Sequence, residues 1–209
     1  MSEFNDIGFT KSNAIGKLGE KFYRDYVKQK GFDVLDVSDD PYFQSIDVDL
    51  IISTIKNFLF NDKSLDTIKT ALINKQTPDN CILVDVKTDT VGERTGNFYL
   101  EWIAHYKPGC FSITKADKWV YLYWDQESNT ATKIWSINVP KLRQAIVNGQ
   151  IKPGLVIEYP DTLNSITLSG NIKEYRSKQD INGKDPGMYA WILPMLYLNS
   201  IGVAKEIKF

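Results

Sequence analysis

Histidine is almost missing from this chain. His105 is the single copy, so neither a two-histidine metal site nor a His-Asp-His set can be assembled within one chain. The residue itself is expected to be a surface or internally satisfied imidazole rather than a site residue. Cysteine is nearly as scarce. Cys81 and Cys110 form no C-x-x-C and no zinc-type spacing, which points to buried, reduced thiols of an intracellular protein. No apolar run approaches the ~18 residues of a membrane span. The opening Met-Ser-Glu-Phe-Asn-Asp lacks the basic and apolar blocks of a signal peptide. The expectation is a cytoplasmic protein with no membrane partner. An excess of positive charge is lacking too: the formal net charge is −1, so any nucleic-acid contact must come from local patches rather than from a basic domain. Internal repeats, low-complexity tracts and a clear linker are absent. What is present is 209 residues, 43% hydrophobic and 12% aromatic, enough for one substantial core. The five tryptophans are assigned to that core rather than to base stacking.

Residues 1–13 are polar and expected to form a loose arm. Ser12 or Asn13 can cap a helix from about Ala14 to Lys30. Ile15, Leu18, Phe22 and Tyr26 recur there at helical spacing, and Gly19, Tyr23 and Val27 widen the arc. Phe32 to Val37 reads as a first strand, Ser38 to Pro41 as a turn, and Gln44 to Ile52 as a second strand. Residues 54–80 are polar, with a helix over Ser64–Asn74, and are expected to be a peripheral insertion between two paired strands. The apolar run Cys81-Ile82-Leu83-Val84 is a buried strand that ends in Asp85-Val86-Lys87. A loop over Thr88–Asn97 follows, then an apolar stretch at Phe98–Ile103 with Glu101 inside it, and strands at Cys110–Ile113, Lys118–Trp124 and Lys133–Val139. Pro140 opens a short helix to Asn148, which Gly149 stops. Beyond Pro153 short β segments are expected, the last two around Tyr189–Leu198 and Val203–Lys208. The pattern is α/β: a mixed sheet flanked by helices. It forms a single domain over 1–209, with a core at about 14–148 and a β-rich C-terminal extension at about 150–209.

Five charged positions stand out against this background. Side chains on a strand alternate faces, so Asp85 and Lys87 point the same way, ~6.6 Å apart in rise. A carboxylate and an ammonium at the end of a buried strand are costly to desolvate, which marks either a structural ion pair or a site. Asp47 and Asp49 share one face of the second strand, although Asp is depleted in strands. Asp49 leads directly into Leu-Ile-Ile, whereas Asp47 sits nearer the rim. Glu20 falls at the edge of the helical apolar arc, while Lys17, Lys21, Arg24 and Lys28 hold the solvent face.

Glu20 on a helix, Asp49 entering a strand and Asp85-x-Lys87 leaving the next resemble the PD-(D/E)xK nuclease superfamily, over about residues 14–124. Gln44-x-x-Asp47-x-Asp49, Thr88-Asp89, Thr95-Gly96-Asn97-x-x-x-Glu101 and Lys115-Ala-Asp117 extend the likeness to a small, mostly phage-associated group within it. Two features depart from the pattern: Asp47 offers a second acid where the family needs one, and the 54–80 insertion exceeds a hairpin.

The resemblance implies a restriction-endonuclease-like mixed β-sheet flanked by helices, and a metal-dependent nuclease hydrolysing phosphodiester bonds, with DNA favoured over RNA. Its implied catalytic set is Glu20, Asp49, Asp85 and Lys87. Hard oxygen ligands select Mg²⁺ or Mn²⁺, to be held by Asp49, Asp85, Glu20 and the Val86 carbonyl. Lys87 would orient the attacking water or stabilise the transition state. Asp47 and Glu101 are secondary candidates, and Lys115 and Lys118 candidate phosphate contacts. The resemblance leaves a homodimer open and, for a phage-encoded chain, places it in the host-cell cytoplasm. The competing reading is a catalytically silent module of the same fold, such as a phage-encoded inhibitor or nucleic-acid-binding protein.

Overall fold

The computed structural model describes residues 3–61, 63–104, 107–152, 156–157, 170–171, 173–176 and 188–209. In chain order the elements are α1 (Glu3–Gln29), β1 (Val34–Asp36), α2 (Pro41–Ser45), β2 (Leu50–Ser53), α3 (Ser64–Ile73) and β3 (Cys81–Asp89). Then come α4 (Gly92–Thr95), β4 (Asn97–Ala104), β5 (Lys107–Pro108), α5 (Cys110–Ile113), β6 (Lys118–Asp125), β7 (Thr130–Asn138) and α6 (Val139–Val147). The C-terminal part holds β8 (Val156–Ile157), β9 (Gly170–Asn171), β10 (Lys173–Arg176), β11 (Met188–Pro194), α7 (Met195–Ser200) and β12 (Ala204–Ile207). Among the described residues no helix is long and apolar enough to cross a membrane.

The architecture is α/β, with a central sheet in the order β1-β2-β3-β6-β7-β12. β2 pairs antiparallel with both β1 and β3, β3 and β6 run parallel, and β7 pairs antiparallel with both β6 and β12. A parallel neighbour requires a crossover. Here the crossover carries β4 and β5, which join β10 and β11 in a second, antiparallel sheet. α1 covers one face of the central sheet, packing Tyr23 and Val27 against Leu50, Val84, Val86 and Leu122. The other face buries Ile51, Leu83, Trp119 and Tyr121 with Phe98 and Leu100 of the second sheet. Strand alternation gives Val84 and Val86 to the α1 face, and so assigns Asp85 and Lys87 to the face under the second sheet.

Several expectations change. α1 begins at Glu3, not near Ala14. Phe4 and Ile7 continue the three-to-four spacing backwards, and Ser12 and Asn13 cost a helix interior only a few tenths of a kcal/mol each. Leu18 is 39% exposed, because the buried stripe runs through Gly19, Tyr23 and Val27 instead. The strand expected over Gln44–Ile52 starts only at Leu50. Asp40 accepts from the Tyr42 amide and Pro41 occupies the first helical turn, so residues 41–45 form α2. Asp47 then turns the chain at φ 53°, so Asp47 and Asp49 do not share a strand face.

Residues 54–80 are not wholly peripheral. Ile68 of α3 is buried in the core, and Phe60, Leu65 and Leu72 pack against it. Cys110–Ile113 is a helical turn rather than a strand: Gly109 O accepts from Ser112 N, and a Cβ at Gly109 would stand 2.8 Å from the Glu101 carbonyl. The loop expected over Thr88–Asn97 is shorter, since β3 runs to Asp89 and α4 follows. The segment expected as a strand over Tyr189–Leu198 stops at Pro194, where α7 begins.

Candidate functional site

The site starts at the paired ends of β2 and β3. Leu50 faces Val84 in the ladder, so the next step brings Asp49 opposite Asp85. Asp49 extends the pairing: its amide donates to Val84 O and its carbonyl accepts from Val37 N. Its carboxylate is also tied down, Oδ2 accepting from the Val86 amide at 2.8 Å. Asp85 beside it is 2% exposed. Burial pushes its carboxyl well above the usual carboxylate range; Lys87 opposes this and the charges of Asp47 and Asp49 add to it.

Lys87 is the hub of the cluster. Its Nζ lies 2.8 Å from Asp85 Oδ2 and 3.0 Å from Asp47 Oδ1, with the Trp119 ring centroid 5.8 Å away. The contact to Asp85 lacks hydrogen-bond geometry, so Asp85 Oδ2, like Asp47 Oδ2, is buried without a hydrogen-bond partner. Burial by itself would pull the ammonium down. Asp85 and Asp47 more than reverse that and hold it well above the ordinary lysine value. The bend at Asp47 is what swings a second carboxylate onto Lys87.

Glu20 approaches from the α1 side. It pairs with Lys17 at 3.1 Å and keeps 13% of its side chain exposed. Burial first and then the Asp49 charge raise its pKa, with Lys17 and Ser38 opposing. The Asp49 charge thus acts on both Glu20 and Asp85. Close packing of α1 allows this: at Gly19 a Cβ would fall 2.0 Å from Thr88 Oγ1 on β3.

The remaining candidates scatter. The Val86 amide is spent on Asp49 and its side chain packs under α1. Glu101 lies on β4 opposite Ala190, with Oε1 accepting from the Cys110 amide at 3.4 Å. It lines, together with Lys87, a cleft of about 580 Å³ between the two sheets. Lys115 is exposed in a loop whose amide donates to Ile46 O. Lys118 opens β6 and lines a separate groove with Tyr23, Tyr26 and Lys30. His105 lies outside the described residues.

Asp89, Tyr121 and Cys110 are not among the site residues expected from the sequence, yet they line the same cleft. Tyr121 Oη donates to Asp89 Oδ2 at 2.6 Å, and Asp89 Oδ1 accepts from the Val91 and Gly92 amides. Burial, then Asp89, lifts the Tyr121 phenol well above its usual value. Burial pushes the Cys110 thiol up to about 12; Lys87 opposes it, and Asp47, Asp85 and Glu101 add to it. Asp89 was legible in principle, since 85, 87 and 89 fall on one strand face once β3 is taken to its full length.

As a cation site the cluster has the right chemistry and an unfinished geometry. Its donors are hard carboxylate oxygens, which suit Mg²⁺ or Mn²⁺, and two of them are buried without a hydrogen bond. Among the described residues, however, no three His, Cys, Asp or Glu side chains converge closely enough to hold a metal ion. What converges is a pair of carboxylates around an ammonium. No protein-family model, curated protein or solved structure matches this chain.

Proposed function

We propose that this protein is a metal-dependent nuclease with a restriction-endonuclease-like core, hydrolysing phosphodiester bonds, with DNA favoured. One observation carries the reading: Asp49, distant in sequence, is brought beside the Asp85-x-Lys87 pair at the ends of β2 and β3, where Asp85 is buried, ion-paired with Lys87, and keeps an oxygen without a hydrogen bond. A buried carboxylate left incompletely paired costs stability, and a site that binds a cation and a phosphate explains why the chain carries that cost. The mixed sheet, with antiparallel β1–β2–β3 and a parallel crossover to β6, supports the same reading.

Asp49 and Asp85 would hold the cation, and Glu20, beside Asp49, would take an aqua ligand. When bound, the cation would supply Lewis acidity and lower the pKa of water. Lys87 has two tasks. Without substrate it neutralises Asp47 and Asp85. With a phosphodiester present, its ammonium would face the developing negative charge. A specific feature favours the silent-module alternative: Lys87 stands where a cation would otherwise balance the two acids. Plasmid, single-stranded DNA and RNA, each incubated with Mg²⁺, Mn²⁺ or EDTA, decide between the two. Cleavage that needs the cation supports the nuclease, and cleavage of none of the three supports the silent module. Cleavage undiminished in EDTA sinks the metal-dependent mechanism.

A further inference from the structure

The cleft between the two sheets has a lining unlike that of a phosphate-binding groove. Its floor is Trp119 and Tyr121 of the central sheet, and its far wall is Tyr99 and Ile192, which face each other across β4 and β11. Val91 and Thr95, both exposed, form the rim at α4. Its charged lining is Lys87, Asp89 and Glu101. Asp89 is already engaged by Tyr121 and two backbone amides, and the positive group of the lining, Lys87, sits at one end, paired with Asp85 and Asp47.

A run of phosphates is therefore disfavoured along the cleft, while a flat, uncharged, partly polar ring finds the half-buried Tyr99 ring, threonine hydroxyls and the Asn97 amide, above a floor of buried aromatics. The volume of about 580 Å³ lies within the range of sites for one small organic group, and cannot admit a base pair with its two backbones. We propose that this cleft receives a single unpaired nucleoside unit, with its phosphate at the Lys87 end, so that the substrate is a single strand or a frayed end rather than an intact duplex. As a statement about substrate this rests on the nuclease reading; as a statement about binding it does not.

The test therefore has two arms. In the first, 2′-deoxyadenosine is titrated into the full chain in EDTA and followed by amide NMR. Saturable shifts in β4, α4 and β6 are expected. Thr95→Trp and Val91→Trp, which fill the rim from exposed positions, should weaken binding by about tenfold or more, the scale of one lost base–aromatic contact. Their amide spectra report whether each variant is folded. No saturable shift in the wild type, or unchanged affinity in both folded variants, overturns the proposal. In the second arm, a single-stranded oligonucleotide should be cut faster with Mn²⁺ than a covalently closed duplex of the same sequence, and equal rates overturn it. Saturable nucleoside binding together with no hydrolysis of either DNA, or of bis(p-nitrophenyl) phosphate, sinks the nuclease reading and leaves the cleft assigned as a nucleoside site.

Discussion

Asp85 and Lys87 differ in what each leaves behind when changed. Lys87→Ala strands the buried carboxylate of Asp85 and the partly buried one of Asp47. Stability should fall by about 3 kcal/mol, the low end for breaking a buried pair, because 27% of the lysine side chain still reaches solvent. Asp85→Asn removes the costly buried charge and leaves Lys87 its contact with Asp47, so stability should change by less than about 1 kcal/mol. On the nuclease reading turnover should collapse in both, by about 10²–10⁴-fold. Urea denaturation beside a plasmid assay separates this from a purely structural pair, which would show the stability pattern without the loss of cleavage. The pH dependence follows from the same burial. Asp85 and Glu20 both have folded-state values above their ordinary ones. The native state then binds more protons than the unfolded chain between the ordinary carboxylate pKa and the raised one. Their contribution to stability is present at low pH and is lost as pH rises through that window. Melting temperatures measured upward from pH 4 should show a decline that Asp85→Asn and Glu20→Gln each flatten. A decline of the same slope in both variants would place its origin elsewhere.

At the level of elements, the site depends on how closely α1 lies on β3. Helix propensity alone says that Gly19→Ala should stabilise α1 by up to about 1 kcal/mol. The packing says the opposite. A Cβ at Gly19 would stand 2.0 Å from Thr88 Oγ1 and 3.1 Å from Leu122 Cδ1, so helix and strand must part, at about 1–3 kcal/mol for an overpacked contact. Moving α1 also moves Glu20 off Asp49. Gly19→Ala is therefore expected to destabilise the protein, and Thr88→Ala, which removes the clashing oxygen, should recover part of the loss in the double mutant. Thermal denaturation of the four members of the cycle checks the sign. A stabilised Gly19→Ala would mean that the helix has room the contact denies it.

On the scale of the whole molecule, the last residues close the structure. β12 pairs with β7 from Ala204–Ile137 to Ile207–Ile134 and forms the outer edge of the central sheet. Val203 and Ala204 are buried, and the Phe209 ring meets Phe22 and Tyr26 of α1 edge-on. The C-terminal segment thus ties the sheet edge to the helix that carries Glu20. A chain ended at Ser200 exposes the β7 edge and removes those ring contacts. It should lose its cooperative unfolding transition, read by circular dichroism on heating. A truncated chain that melts as sharply as the full one would show that β12 is an appendage.

The local pattern by itself determined most elements and the identity of the charged positions. The unbroken apolar block before Asp85 can only be a buried strand, Asn138-Val-Pro140 starts α6 through a side-chain cap on Lys141 N, and Gly149 at φ 72° ends it. These are signals carried within a few residues. Other features are decided by contacts between segments far apart. The bend at Asp47, which follows the locally capped α2, delivers its carboxylate to Lys87, 40 positions away. Cys110–Ile113 becomes a helical turn because Gly109 is pressed against β4. Asp47, Asp85 and Lys87 are three charges in a sequence. Only the pairing of β2 with β3, and the second sheet laid over that face, shuts out the water that would otherwise screen them, and so makes their mutual distances matter.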